Sequence, residues 1–284
     1  MAGFIHNRRL LFFAALCLLI CLAALAAPLI APNDPYKTSL LKAFLPPGAE
    51  FPLGTDRLGR CLFSRIIYGA RMSVFAALFL VGVIFTFGTA VGVISGYVGG
   101  RADSFIMRVT DIFLAFPDLV LAIAVAGFLG GGLTNALIAL GCVSWSKYAR
   151  LARSQVLALK GSAFIEAARL GGNSPLQIIR RHILPNAVGP VVVTAALDIG
   201  VMMMGIAGLS FLGLGVSPPV PEWGSMLNEG RMYFHQHPAQ VFYPGAAIFL
   251  TIIVFNLFGD SLRDWLDPRQ RTRAVCEPEP LAKE

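Results

Sequence analysis

The sequence predicts an all-α integral membrane protein with six transmembrane helices, on three observations. The 284 residues are 56% hydrophobic and only 14% charged, against about 25% charged in an ordinary soluble domain. Mean hydropathy is +0.70. Six long apolar blocks recur along the chain, and they are unbroken rather than alternating in segments of about ten residues, which argues against a β-barrel. At about 20 residues per span, six helices take roughly 120 residues. The remainder is too short and too divided for a large soluble catalytic domain.

The first span is expected at Leu10–Ile30, after an N-terminal segment of residues 1–9. Arg8-Arg9 followed by an apolar run and Ala24-Leu25-Ala26 also fits a cleaved secretory signal, but the run is longer than the roughly 7–15 residues of a signal core. The second span is Met72–Val98, where Gly88, Gly92 and Gly96 form a small-residue face for close packing against a neighbour. The third is Ile112–Leu129, with Asp118 near its start after Pro117. Gly130-Gly131-Gly132 predicts a tight turn. The fourth, Leu133–Tyr148, is the weakest because its apolar run ends at Ser146-Lys147. The fifth is Val188–Phe211, ended before Pro218, Pro219 and Pro221, and the sixth is Tyr243–Leu262. The chain thus reads as a membrane domain over 10–268 with a long loop at 149–187, and a polar tail at 269–284 expected to be disordered.

Charge placement orients these spans. With the N-terminus inside, the inner segments hold 16 Lys and Arg and the outer segments 7, which predicts both termini on the cytoplasmic face. The Lys37–Arg71 segment is an exception, being basic on the outer side. The net charge of +7 is spread between apolar runs without a dense basic stripe, so no nucleic-acid partner is expected. The five cysteines are odd in number and lack metal-ligand spacing, so neither a disulfide framework nor a zinc site is supported.

The 149–187 loop carries the most information. Ser162 precedes a helix-favouring Glu166-Ala167-Ala168-Arg169-Leu170, which Gly171-Gly172 would end. Ser174-Pro175 then suits the cap and first turn of a second short helix, with Pro185 expected to close it. Two short helices about a Gly-Gly turn make a knob that can enter a cleft on a partner. A plain connecting loop with surface helices is the alternative.

Glu166-Ala167-Ala168, three residues, Gly172, nine residues, then His182-Ile183-Leu184-Pro185 in the place of x-x-Leu-Pro resembles the coupling loop of ABC importer permease subunits. His182-Ile183-Leu184-Pro185-Asn186 resembles the peptide and nickel branch, as do three further stretches. These are Pro52–Arg60 with Ser64-Arg65, Ser210–Gly215 with Glu222-Trp223-Gly224, and Gly259–Asp264 with Asp267-Pro268. Cys61 departs from that branch, which usually has Asp there, and Ile206 stands where many peptide permeases carry Glu. The resemblance covers roughly residues 5–270. It implies the type I importer permease fold in a bacterial inner membrane and a coupling loop of Glu166, Ala167, Ala168, Gly172, Leu184 and Pro185. The implied partners are a second homologous permease, two ATP-binding subunits, an extracytoplasmic binding protein and membrane lipid. No Gly-rich phosphate loop ending in Gly-Lys-Ser/Thr occurs. The chain is therefore expected not to be an enzyme and to bind no cofactor; ATP and magnesium belong to the partners.

Asp198 lies inside the fifth span, where a charge is costly and marks a candidate pathway residue. The alternative is a structural partner for a polar group on a neighbouring helix. Met202 and Met203 follow as soft ligands or as adaptable packing. His235 and His237 are weak metal candidates, since two residues apart on an extended segment would share a side. The Leu197–Met203 stretch with Ala207-Gly208 and Glu222-Trp223-Gly224 resembles nickel permeases, so nickel, as the ion or a small chelate, is the expected cargo. Dipeptides or oligopeptides are the alternative. Readings of another class are an ion-coupled secondary transporter, which would want more intramembrane ionisable groups, and an assembly protein without transport.

Overall fold

The computed structural model describes residues 2–266, with side chains from Arg8 onward. The polar tail at 269–284, Asp267-Pro268 and Cys276 lie outside the described residues. Helix α1 (Ala2–Leu25) and the single turn α2 (Ala27–Ile30) open the chain. Residues 31–61 fold as a compact loop with one short 3-10 turn at Leu40–Lys42. Helix α3 (Leu62–Val98) leads to α4 (Gly100–Leu114), α5 (Asp118–Leu129) and α6 (Leu133–Lys160). Then come α7 (Ala163–Leu170), α8 (Pro175–Ile178), a π-helical turn at Ile179–Ile183, and α9 (Leu184–Phe211). Helices α10 (Trp223–Arg231) and α11 (Ala239–Leu266) complete the described chain.

Among the described residues, four helical runs are long and apolar enough to cross a membrane: residues 8–25, α3, the continuous run from Pro175 to Phe211, and α11. A fifth is gained if α4 and α5, bent by 88°, count as one. Three expected boundaries need correction. The first helix begins upstream of Leu10 and takes in residues 2–9. The third block is not one helix from Ile112, because the chain breaks before Pro117, as the steric demand of proline on its predecessor favours. Alone, α5 spans only about 18 Å. The fourth block does not stop at Tyr148; α6 continues to Lys160, and Lys147, Arg150 and Arg153 in its second half dilute the apolar signal.

The most extensive packing is between α3 and α6. The predicted Gly88–Gly92–Gly96 face is the cause. A Cβ on Gly88 would lie 2.5 Å from the Trp145 carbonyl oxygen, and one on Gly92 would run into the Ala149 backbone. On Gly96 it would meet the Val156 side chain at 3.0 Å. Glycine therefore lets the two backbones touch, and where neighbouring apolar side chains gain nothing over lipid, close van der Waals contact is what holds helices together. At the lower end of this pair, Lys160 Nζ reaches the carbonyls at the end of α3, including Gly96 at 3.4 Å.

The opposite end is closed by a folded cap. Thr55 Oγ1 donates to the Lys42 carbonyl at 2.5 Å and accepts from the Leu45 N–H at 2.8 Å, while Gln240 Nε2 donates to the Thr55 carbonyl at 2.8 Å. Glu222, fully buried, caps α10 by accepting from the N–H groups of Gly224 and Ser225, each at 2.8 Å. The Trp223 indole N–H donates to the Ile66 carbonyl at 2.9 Å and fixes α10 on α3. The Pro52–Arg60 stretch meets α10, which Glu222-Trp223-Gly224 begins, through Arg60 and Glu229.

Gly92→Val tests the α3–α6 contact. We expect a loss of about 1–3 kcal/mol from overpacking, seen as a lower midpoint of thermal aggregation in detergent. Gly82→Val, at a glycine with open space around it, should show a much smaller loss; equal effects would mean that the close approach does not hold the pair.

Candidate coupling surface and membrane-buried site

The 162–187 segment folds into the expected knob. Helix α7 buries Ile165 and Ala168 and exposes Glu166 and Ala167. Ser162 is its N-cap residue by position, but its hydroxyl donates to the Leu159 carbonyl instead of capping. The helix ends in a Schellman arrangement: the Asn173 N–H donates to the Ala168 carbonyl at 3.2 Å and the Gly172 N–H to the Arg169 carbonyl at 3.0 Å. Gly172 has φ +79°, the left-handed conformation glycine adopts cheaply. Ser174 and Gln177 form a reciprocal capping box at the start of α8, with Pro175 in its first turn.

Pro185 does not close the second helix. The chain passes from α8 through the π-helical turn into α9, and the Leu184 N–H donates to the Ile179 carbonyl, five residues back. The wider turn accommodates the proline, whose ring clashes with the preceding turn and whose nitrogen cannot donate. The knob is thus continuous with α9 on one side and, through Gly161-Ser162, adjoins α6 on the other. Leu170 is 90% and Leu176 69% exposed, so the tip presents an apolar surface beside Glu166. Leu184 and Pro185 are exposed at its base.

Asp198 is buried in α9 and faces α6. Its Oδ2 accepts from the Tyr148 hydroxyl at 2.6 Å and lies 2.5 Å from Lys147 Nζ. The carboxylate is therefore neutralised by a cation and a hydroxyl fifty residues away in the chain. Met202 and Met203 are also buried. Met202 lines a groove of about 370 Å³ between α5, α6, α9 and α11, together with Met204, Ser144, Asn256 and Asp118. Ile206 packs in the core of the same helix.

The histidine pair lacks the extended backbone its geometry needed. Residues 232–237 turn, with the Gln236 and His237 N–H groups both donating to the Tyr233 carbonyl. His237 stacks on Phe44, ring centroids 4.0 Å apart, while exposed His235 lies beside Phe234. Among the described residues no group of three or more His, Cys, Asp and Glu could hold a metal ion.

A buried ion-pair cluster escaped the sequence reading. Arg60 Nε lies 2.6 Å from Asp56 Oδ2, Arg65 Nη2 lies 3.0 Å from Glu229 Oε1, and a second Arg60 nitrogen pairs with Glu229. Both guanidinium groups are 1% exposed. The four groups tie the cap loop, α3 and α10 together. Asp56 and Arg60, four apart, were the available signal; Glu229 lies 169 residues from Arg60 and carries none. Cys61 stands at the N-cap of α3 without a side-chain cap bond, where the usual Asp would accept one.

Residues 88–272 match the family model described as the binding-protein-dependent transport system inner membrane component, and residues 1–47 match the N-terminal TM domain of oligopeptide transport permease C. The chain is 42% identical over 250 residues to the nickel transport system permease protein NikC of Escherichia coli, covering 88% of this chain and 90% of that one. It is 43% identical over 251 residues to the dipeptide transport system permease protein DppC of Alkalihalophilus pseudofirmus, covering 88% and 83%. Its fold resembles the methionine ABC transporter MetNI in inward facing conformations, with a TM-score of 0.54 and 19% identity over 69% of this chain and 95% of that one. The helical architecture and these likenesses agree: the chain belongs to the family of binding-protein-dependent transport system inner membrane components, the permease subunits of ABC importers.

Proposed function

We propose that this chain forms half of the translocation pathway of an ATP-driven importer and receives its driving movement through the Glu166–Pro185 knob. The observation that carries this reading is the knob itself, an exposed apolar and acidic tip continuous with α9 and adjoining α6. It pairs with a second homologous permease and two ATP-binding subunits, and accepts cargo from an extracytoplasmic binding protein. ATP and magnesium are held by the ATP-binding subunits, and this chain hydrolyses none. When ATP closes those subunits, the knob moves with them as a rigid body and carries α6 and α9. The permease pair opens outward to take cargo, and hydrolysis resets it.

The chain crosses the bilayer six times, as α1, α3, α5 with its flanking turns, α6, α9 and α11, with α4 turned 88° from α5 along the inner face and both termini cytoplasmic. The Gly130–Gly132 turn between α5 and α6 is supported by protein groups: the Asn135 amide donates to the Leu129 and Gly130 carbonyls, and the Gly132 N–H to the Leu214 carbonyl. Charge bias supports the orientation. The basic Lys37–Arg71 segment is less of an exception than its count suggests, because Lys42, Arg60 and Arg65 are held in ion pairs with Glu50, Asp56 and Glu229.

Nickel, as the ion or a small chelate, is the proposed cargo, supported by the Leu197–Met203 stretch and the likeness to the nickel permease. Dipeptides are the second reading. It is favoured by the comparable identity to the dipeptide permease and by Asp198, whose charge Lys147 already balances.

Single cysteines at positions 166, 57 and 232, each exposed, test the orientation on a background without native cysteines. Trp223, on the outer side in this reading, is too buried to report. Positions 57 and 232 should react with an impermeant thiol reagent in sealed cells and position 166 should not; reaction at 166 would overturn both topology and coupling role.

Gly172→Val should lower transport at least several-fold while leaving membrane insertion intact, because a β-branched residue is strained at positive φ. Gly172→Asn, which tolerates that conformation, should restore most of it. Normal uptake in Gly172→Val at normal expression would show that the knob is only a connector.

The complete complex in proteoliposomes should accumulate radioactive nickel when supplied with ATP and its binding protein. Accumulation of labelled dipeptide without nickel would select the second reading. Asp198→Asn should lower uptake together with the thermal stability of the solubilised complex, since Lys147 loses its counter-charge; lower uptake at unchanged stability would place the carboxylate on the cargo path.

A further inference from the structure

Helix α4 carries a stripe that neither the internal packing nor the coupling knob uses. Arg101, Phe105, Arg108 and Ile112 follow one another at intervals of four, three and four, which puts them on one helical face. All four are exposed, Phe105 at 70% and Ile112 at 62%. The acids of the same helix are engaged by α6. Asp103 receives Arg153 through two bonds of 2.5 and 2.6 Å and the Ser95 hydroxyl at 2.5 Å, and Asp111 pairs with Arg150. Among the described residues Arg101 and Arg108 have no ion pair in return. The outward face is therefore basic and apolar at once.

The setting of α4 says what such a face meets. Its axis is bent 88° from α5, so with α5 crossing the bilayer, α4 lies in the plane of the surface. An in-plane helix with large apolar side chains between arginines suits the boundary between headgroups and acyl chains. Arginine stems lie along the apolar layer there while their guanidinium groups reach phosphate. We propose that this face of α4 binds the anionic phospholipid surface of the cytoplasmic leaflet, with Phe105 and Ile112 at the acyl boundary and Arg101 and Arg108 on headgroup phosphates. The leaflet assignment rests on the orientation read above, which puts α4 at the same end as α7. The charge and the apolar area are both met by an anionic leaflet. A protein occupant would have to match them while lying in the membrane plane.

The contact also reaches the transport machinery. Asp103 and Asp111 fasten α4 to the half of α6 that runs into α7. Lipid held by α4 therefore braces the support of the knob.

The test uses the full complex of permeases and ATP-binding subunits in vesicles of phosphatidylcholine with or without phosphatidylglycerol. A fluorophore on Phe105→Cys, in a background without native cysteines, should be quenched by brominated phospholipid. Phosphatidylglycerol should stimulate ATP-driven uptake in the wild type, and Arg101→Gln with Arg108→Gln should remove that stimulation while leaving the rate in phosphatidylcholine unchanged. The apparent affinity for phosphatidylglycerol should fall about fivefold for each arginine, and Arg101→Lys with Arg108→Lys should retain it. A fluorophore shielded from lipid quencher would show a protein on this face and overturn the proposal, as would undiminished stimulation in the Gln variant. The quenching needs neither ATP nor cargo, so it reads the lipid contact even if the importer reading fails.

Discussion

The close approach of α3 and α6 is the contact on which the other arrangements hang. Three glycines at four-residue spacing let the α3 backbone lie against that of α6 from Trp145 to Val156. This fixes the height of α6, and α6 carries the polar side chains that organise its neighbours. Lys147 and Tyr148 meet Asp198 on α9, Arg150 and Arg153 meet the acids of α4, and Lys160 meets the end of α3. A helix whose second half is too charged to register as a confident span is thus the post to which α3, α4 and α9 are attached. Its continuation is the Glu166–Pro185 knob.

Charge inside this protein is managed by pairing. Burying an isolated carboxylate or guanidinium in a low-dielectric interior costs several kcal/mol, and removing one member of a buried pair leaves that cost uncompensated. Asp198 is matched by Lys147; Arg60 and Arg65 are matched by Asp56 and Glu229. These pairs connect segments far apart in the chain, so they act as registers. Asp198 sets α9 against α6 within the helical bundle, while Glu229 sets α10 against the cap and α3. Net stabilisation over apolar substitutes is not required for that role; breaking a pair is costly either way.

The knob gains its mechanical character from two local devices. The Schellman turn with Gly172 at positive φ folds α8 back beside α7, and the capping box at Ser174 starts the return helix without a loop. The π-helical turn at Ile179–Ile183 then carries helical structure past Pro185 into α9. A helix that truly ended at Pro185 would leave a hinge between knob and span. Continuity instead gives the apolar tip at Leu170 and Leu176 a direct connection to the helix bearing Asp198 and Met202.

The helical class, the apolar blocks, the small-residue face at Gly88–Gly96 and the two-helix loop about Gly172 are legible in the linear order of residues. These follow from properties each residue carries locally: transfer free energy, helix period, backbone permissiveness of glycine and capping chemistry of serine. Packing in three dimensions bends α4 and α5 across each other, absorbs Pro185 into a continuous helix, and parts His235 from His237 on a turned segment. It also sets the one acid in the fifth span against a lysine on the fourth block, and Glu229 against Arg60 of the cap loop and Arg65 of α3. A charge's partner depends on which helices are brought together and at what height, and a linear pattern of hydropathy contains neither quantity. The physical reason is the long-range character of those contacts, set here by how closely two backbones can approach.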